Sequence, residues 1–65
     1  MYISNSTIRR ILKEAGASRV SGEATVAFQS RLNRLAYDTA RKAVRFAGHA
    51  KRKTVVQSDI KLAFN

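Results

Sequence analysis

The stretch SGEATVAFQSRLNRLAYDTARKAVRFAGHA, residues 21–50, decides how this chain folds. Its apolar positions Ala24, Ala27, Phe28, Leu32, Leu35, Ala36, Ala40, Ala43, Val44 and Ala47 recur at spacings of three and four, the period of an amphipathic helix. Ser21 is the expected N-cap, with Glu23 in the first turn facing the positive end of the helix dipole. A helix over residues 22–50 extends roughly 40 Å at 1.5 Å per residue, more than one small domain can cover. Val26, Tyr37 and Phe46 lie off the main stripe, so the helix is expected to be buried on more than one side.

Both flanks read as shorter helices. On the N-terminal side Ile8, Ile11, Leu12 and Ala15 form one apolar face, and Gly16 follows as a C-terminal cap able to take a left-handed conformation. Ser4 as N-cap sets Ile3 and Ile8 at the two positions of a hydrophobic staple, while Ser6 is a rival cap two residues on. After KRKTV, residues 51–55, a short third helix carries Ile60, Ala63 and Phe64 on one face. The chain is therefore expected to be all-α: short helix, loop, long central helix, loop, short helix, forming a single domain over residues 1–65. Proline is absent, and no repeat or low-complexity tract interrupts the pattern.

A chain of 65 residues buries too little surface to be comfortably stable alone. It has no cysteine, so neither disulfides nor thiolate metal sites can staple it. Oligomerisation remains, and a dimer is expected. Thirteen Lys and Arg against four Asp and Glu give a net charge of +9, with a pI near 11.3. Such a charge calls for a polyanion, nucleic acid first and an anionic membrane surface second. MYISNSTIRR, residues 1–10, is too polar for a signal peptide, and no apolar run approaches the ~18 residues of a membrane span, so an intracellular protein is expected.

Two stretches, IRRILKEAGASRVS (residues 8–21) and HAKRKTVVQSDIKLA (residues 49–63), resemble the histone fold, specifically the tailless archaeal-type histones. The resemblance spans essentially the whole chain. The second stretch is the more specific: Arg-Lys-Thr, then a β-branched residue, then Asp-Ile five and six positions after the threonine. The resemblance implies a head-to-tail handshake homodimer, with residues 19–21 of one chain beside residues 53–55 of the other as a short parallel β-bridge. Val20 and Val55 suit that role.

It further implies binding of double-stranded DNA through phosphate and minor-groove contacts, in a nucleoid-associated protein that bends, wraps or compacts the duplex. The residues matching DNA-contacting positions are Arg9, Arg10, Lys13, Arg19, Arg52, Lys53 and Thr54. Arg10 matches an arginine that reaches toward the minor groove, whereas Arg9 replaces the small residue common in the family. Arg52 and Asp59 match a clamp bracing the second loop; a blander reading of Asp59 is an acid facing a helix dipole. Phe46, His49, Asp59 and Leu62 match a junction between adjacent dimers, with His49 of one meeting Asp59 of the next, which would allow tetramers or longer assemblies. Gly16 would let neighbouring superhelical turns approach closely. Arg31, Arg34 and Lys61, with Ser30 and Asn65, stand where family members tie successive turns by opposite charges, so regular stacking is not expected.

The basic run Arg31, Arg34, Arg41, Lys42 and Arg45 reads first as a solvated face, with Asp38 four residues from both Arg34 and Lys42. Tyr37 and the phenylalanines are expected in the core rather than as base-stacking platforms. Two other classes compete: a histone-fold interaction protein that pairs with another chain, which should have lost Arg10, Arg19, Lys53 or Thr54, and a membrane-active cationic helix, unstructured until it meets anionic lipid. An enzyme is least expected. There is no nucleophile–base pair, phosphate loop, metal constellation or second histidine beside His49, so no cofactor or small-molecule substrate is implied.

Overall fold

A computed structural model describes residues 2–64. It contains α1 (Asn5–Glu14), α2 (Gly22–His49) and α3 (Gln57–Ala63), in that order, with no strand among the described residues. The expected order of elements is thus present, and the long helix ends within one residue of its expected limit. Packing divides the chain into two compact units, one ending at Arg34 and one beginning at Leu35, with α2 contributing to both.

In the first unit, Ser4 prevails over Ser6 as N-cap: its Oγ accepts from the Thr7 N–H at 3.2 Å, and Ser6 lies inside α1. Ile8 is fully buried. At the other end the Ala17 N–H donates to Leu12 C=O and the Gly16 N–H to Lys13 C=O, both at 3.0 Å, closing a Schellman turn around Gly16 at φ +117°. A Cβ there would touch nothing within 4 Å, so substitution is opposed by backbone conformation alone. Gly16→Ala is expected to destabilise the protein by about 1–2 kcal/mol in denaturant titration. Ser21 caps α2 as expected, its Oγ accepting from the Ala24 N–H at 3.1 Å.

The buried positions of α2 in this unit are polar, Thr25 and Gln29, while Phe28 and Leu32 are half-buried and Ala24 and Ala27 exposed. The reason lies in what α2 holds. Gln29 Nε2 donates to the Ile3 C=O at 2.6 Å, and Asn33 Oδ1 accepts from the Ile3 and Tyr2 N–H groups at 2.9 and 3.2 Å. These carboxamides lash the segment before α1 to α2, satisfying backbone groups that would be costly to leave unpaired.

In the second unit α2 ends without glycine in the turning position. Gly48 lies inside the helix, and Lys51 takes the left-handed conformation at φ 59°. The Lys51 N–H donates to Gly48 C=O and the Arg52 N–H to Ala47 C=O, both at 2.9 Å, a second Schellman turn with lysine where glycine usually stands. Thr39, Ala43, Ala47, Asp59 and Ala63 are buried.

Of Tyr37 and the phenylalanines expected in the core, Phe28 is half-buried, and the expectation is corrected for the others in the chain by itself. Tyr37 is 48 % exposed and Phe64 65 %, while Leu35 and Val44 of the expected stripe are 52 % and 60 % exposed. Phe64 also lies beyond the last turn of α3, and Ile60 on that helix is 40 % exposed, which leaves Ala63 as the buried member of the predicted face. Leu35 and Phe46 are eleven residues apart and Tyr37 and Val44 seven apart, each near a whole number of 3.6-residue turns. The pairs therefore run along two lines of α2: Leu35 and Phe46 border the strip of Thr39, Ala43 and Ala47 covered within the unit, and Tyr37 and Val44 lie on the far side of the helix from Leu35. One short flanking helix covers only a narrow strip, and the remaining apolar surface stays open.

Candidate nucleic-acid interface

The sequence-predicted DNA-contacting residues fall in both units. Arg9, Arg10 and Lys13 are exposed on α1 and, with Ser6, Glu14 and Val20, line an open basin of about 520 Å³. Lys13 stands one turn beyond the consecutive Arg9 and Arg10, at spacings of four and three, so their charges add on one surface. Glu14 partly offsets them: its Oε2 is 3.7 Å from Arg10 Nε, with both side chains about three-quarters exposed. Such a solvated pair is weak and yields readily to a phosphate. Arg19, in the loop after α1, is also exposed.

In the second unit, Lys53 and Thr54 are exposed on the loop between α2 and α3, and Arg52 beside them is half-buried. Arg52 meets Asp59 in a bidentate pair, Nη1 to Oδ2 at 2.8 Å and Nη2 to Oδ1 at 3.0 Å, and Nη1 also donates to the Thr54 C=O at 3.0 Å. Asp59 Oδ2 accepts in addition from the Val56 N–H at 2.9 Å, which caps the start of α3. One carboxylate thereby ties the loop backbone at two points before α3, through Arg52 to Thr54 and directly to Val56. Asp59 is only 2 % exposed. The hydrogen bonds from Arg52 and Val56 outweigh the cost of its burial and hold its pKa down to about 2. Asp59 raises the pKa of Arg52 in turn, so the pair stays charged across the physiological range.

Of the residues matched to a dimer–dimer junction, Phe46, His49 and Leu62 are exposed, whereas Asp59 is buried and its oxygens are already engaged. Arg41 sits over the Tyr37 ring at 5.9 Å, so part of the basic run on α2 is packed on an aromatic face. Ser30, Arg31 and Lys61 are exposed, while Asn65 lies outside the described residues. Sequence reasoning did not find Gln29, Asn33 or Lys51. The carboxamides act across about thirty residues of chain, and Lys51 occupies a position that only hydrogen-bond geometry reveals.

No group of three or more metal-ligating side chains exists among the described residues, and none of their helices is long and apolar enough to cross a membrane. Residues 1–64 match the family described as histone-like transcription factor (CBF/NF-Y) and archaeal histone. The chain is 54 % identical over 54 residues to the probable archaeal histone 3 of Methanocaldococcus jannaschii, covering 83 % of this chain and 81 % of that one. It is 45 % identical over 56 residues to one of the subunits of the archaeal histone HAN1 from Thermococcus zilligii, covering 86 % and 84 % respectively. Histone H4 of Encephalitozoon cuniculi matches at 41 % over 58 residues, 89 % of this chain and 56 % of that protein. With three helices in the expected order and a match over nearly its full length, the chain belongs to the histone-like transcription factor and archaeal histone family and has the histone fold.

Proposed function

We propose that this chain is a chromosome-associated chromatin protein that works as a handshake homodimer and binds duplex DNA with little sequence preference, bending or wrapping it. The observation that carries this reading is the set of exposed cations, Arg9, Arg10 and Lys13 on one basin, with Arg19 and Lys53 on loops. Each can neutralise a phosphate and release condensed counterions. The open apolar lines of α2 support the dimer, since a second copy would cover them. In that arrangement residues 19–21 and 53–55 of opposite chains meet as a β-bridge, and the Arg52–Asp59 pair stiffens the loop that presents Lys53 and Thr54. The family assignment makes the chain a structural protein and not an enzyme. Retention of Arg10, Arg19, Lys53 and Thr54 together favours DNA over a purely protein-pairing role.

Mobility shift on duplex DNA, combined with a plasmid topology assay, tests the proposal: bound protein should constrain supercoils, and a chain that shifts neither duplex nor topology refutes it. Lys53→Ala or Arg19→Ala should weaken binding about equally on unrelated duplexes and flatten the salt slope by about one unit per lost phosphate contact. A loss confined to one sequence would contradict phosphate-dominated recognition. Exposed Arg31 and Lys61 offer no opposite charge to a neighbouring turn, so limit nuclease digestion should give short protected fragments. A ladder running evenly to long fragments would show regular stacking instead.

A further inference from the structure

Within the first unit, the burial of α1 is uneven. Ile8 is fully buried and Thr7 and Leu12 are half-buried, while the other positions, Arg9, Arg10 and Lys13 among them, are exposed. One fully buried side chain holds a helix at a point and leaves its direction loosely fixed. A second attachment sets the direction, and the chain just before α1 supplies it: Ile3 C=O accepts from Gln29 Nε2 at 2.6 Å, and the Ile3 and Tyr2 N–H groups donate to Asn33 Oδ1 at 2.9 and 3.2 Å. Gln29 is 3 % exposed, and a carboxamide so buried is costlier than an apolar side chain unless its bonds are made. Packing alone does not call for it at that position.

The cations of α1 depend on this attachment. Arg9 and Arg10 directly follow Ile8, and Lys13 stands five residues, about 7.5 Å of helix, beyond it. A tilt of about 20° pivoting on Ile8 would carry the Lys13 end of α1 by about 2.5 Å, the margin between a direct and a water-separated ion pair. Cations that have to be reordered on binding give lower affinity than cations already set in place. We infer that Gln29 and Asn33 are positioning residues for duplex binding: their carboxamides touch no DNA, but hold α1 at the angle that presents Arg9, Arg10 and Lys13 as one surface. This rests on the proposed DNA-binding function and adds to it two uncharged side chains of α2. In these bonds Asn33 acts only as an acceptor, so a carboxylate can take its place.

The test is a double-mutant cycle on a fluorescein-labelled duplex of mixed sequence, read by anisotropy at moderate salt and at a temperature where circular dichroism shows every variant folded. Gln29→Met with Asn33→Leu changes no charge and should weaken binding about fivefold. In an Arg9→Ala, Arg10→Ala background the same pair should cost less than about twofold, because the contacts it positions are already gone. In a Lys53→Ala background the loss of about fivefold should persist, since that loop is held by other bonds. Asn33→Leu alone replaces the pair should the latter not fold. Amide exchange followed by NMR reads the attachment itself: the Ile3 N–H should exchange faster than in the parent in Asn33→Leu, and as slowly as in the parent in Asn33→Asp. Parent-like duplex affinity without the carboxamides overturns the proposal. So does an equal loss with and without Arg9 and Arg10, which would make the attachment a stabiliser of the fold only, or an Ile3 N–H that exchanges alike in parent and Asn33→Leu. A parent that binds no duplex would instead remove the DNA-binding reading and this inference with it, an outcome recognised before any substitution is made.

Discussion

Leu35→Glu is expected to abolish cooperative folding at micromolar concentration. Leu35 is 52 % exposed in the single chain, and a surface substitution of that kind ordinarily changes stability by only about 0.5 kcal/mol. If the two apolar lines of α2 are buried against a second copy, the same change places a carboxylate in an apolar interface, at a cost of several kcal/mol. Both copies carry it, so the penalty is doubled in a dimer. A small domain has a total stability of only about 5–15 kcal/mol, so the variant should show weak helical signal, a broad melt and monomeric sedimentation. The parent should melt at higher temperature as its concentration rises, since association is linked to folding by mass action. A parent whose melting temperature is independent of concentration, together with a Leu35→Glu variant that melts as the parent does, would mean that the chain folds alone.

The second large effect is centred on Asp59. Asp59→Ala removes both bonds to Arg52 and the acceptor for the Val56 N–H, leaving a half-buried guanidinium without its counter-charge, held only to the Thr54 C=O, and the start of α3 uncapped. The melting temperature should fall by on the order of 10 °C. The loop carrying Lys53 and Thr54 should loosen, and on the proposed function duplex affinity should fall with it although neither of those side chains has been changed. The acid limb gives a second readout. The folded-state pKa of Asp59, about 2, lies below the ordinary aspartate value of 3.8, so its contribution is fully present above about pH 4. It is lost as pH falls from there through about 2. The parent should therefore lose stability over that window, and Asp59→Asn should show a shallower decline there from a lower plateau. An equally steep decline in both proteins would assign acid sensitivity to other carboxylates.

Much of this architecture is local and hence legible from residue order. Ser4 and Ser21 stop the chain's free N–H groups at the starts of α1 and α2, Gly16 turns the end of α1, and three-four spacing marks the length of α2. Each depends on neighbours within about one turn, where sequence separation and spatial separation coincide. The pairing of Arg52 with Asp59 was legible only through resemblance to a known family. Seven residues of intervening loop do not by themselves dictate that the two side chains meet.

Tertiary structure decided the rest. Apolar periodicity indicates that a face seeks burial but not which partner supplies it, so Leu35, Tyr37 and Val44 read as core although the chain alone leaves them about half exposed or more. Gln29 and Asn33 look like solvated polar positions until the segment before α1 folds back and offers them backbone groups. The turn at Lys51 is as local as that at Gly16, but lysine has no preference for the left-handed conformation, so residue order did not announce it. What residue order determined by itself was the set of helices, their caps and the excess of positive charge. Which surfaces remain open, and which acid is buried, follow from contacts between residues far apart in the chain, and those exist only once it has folded.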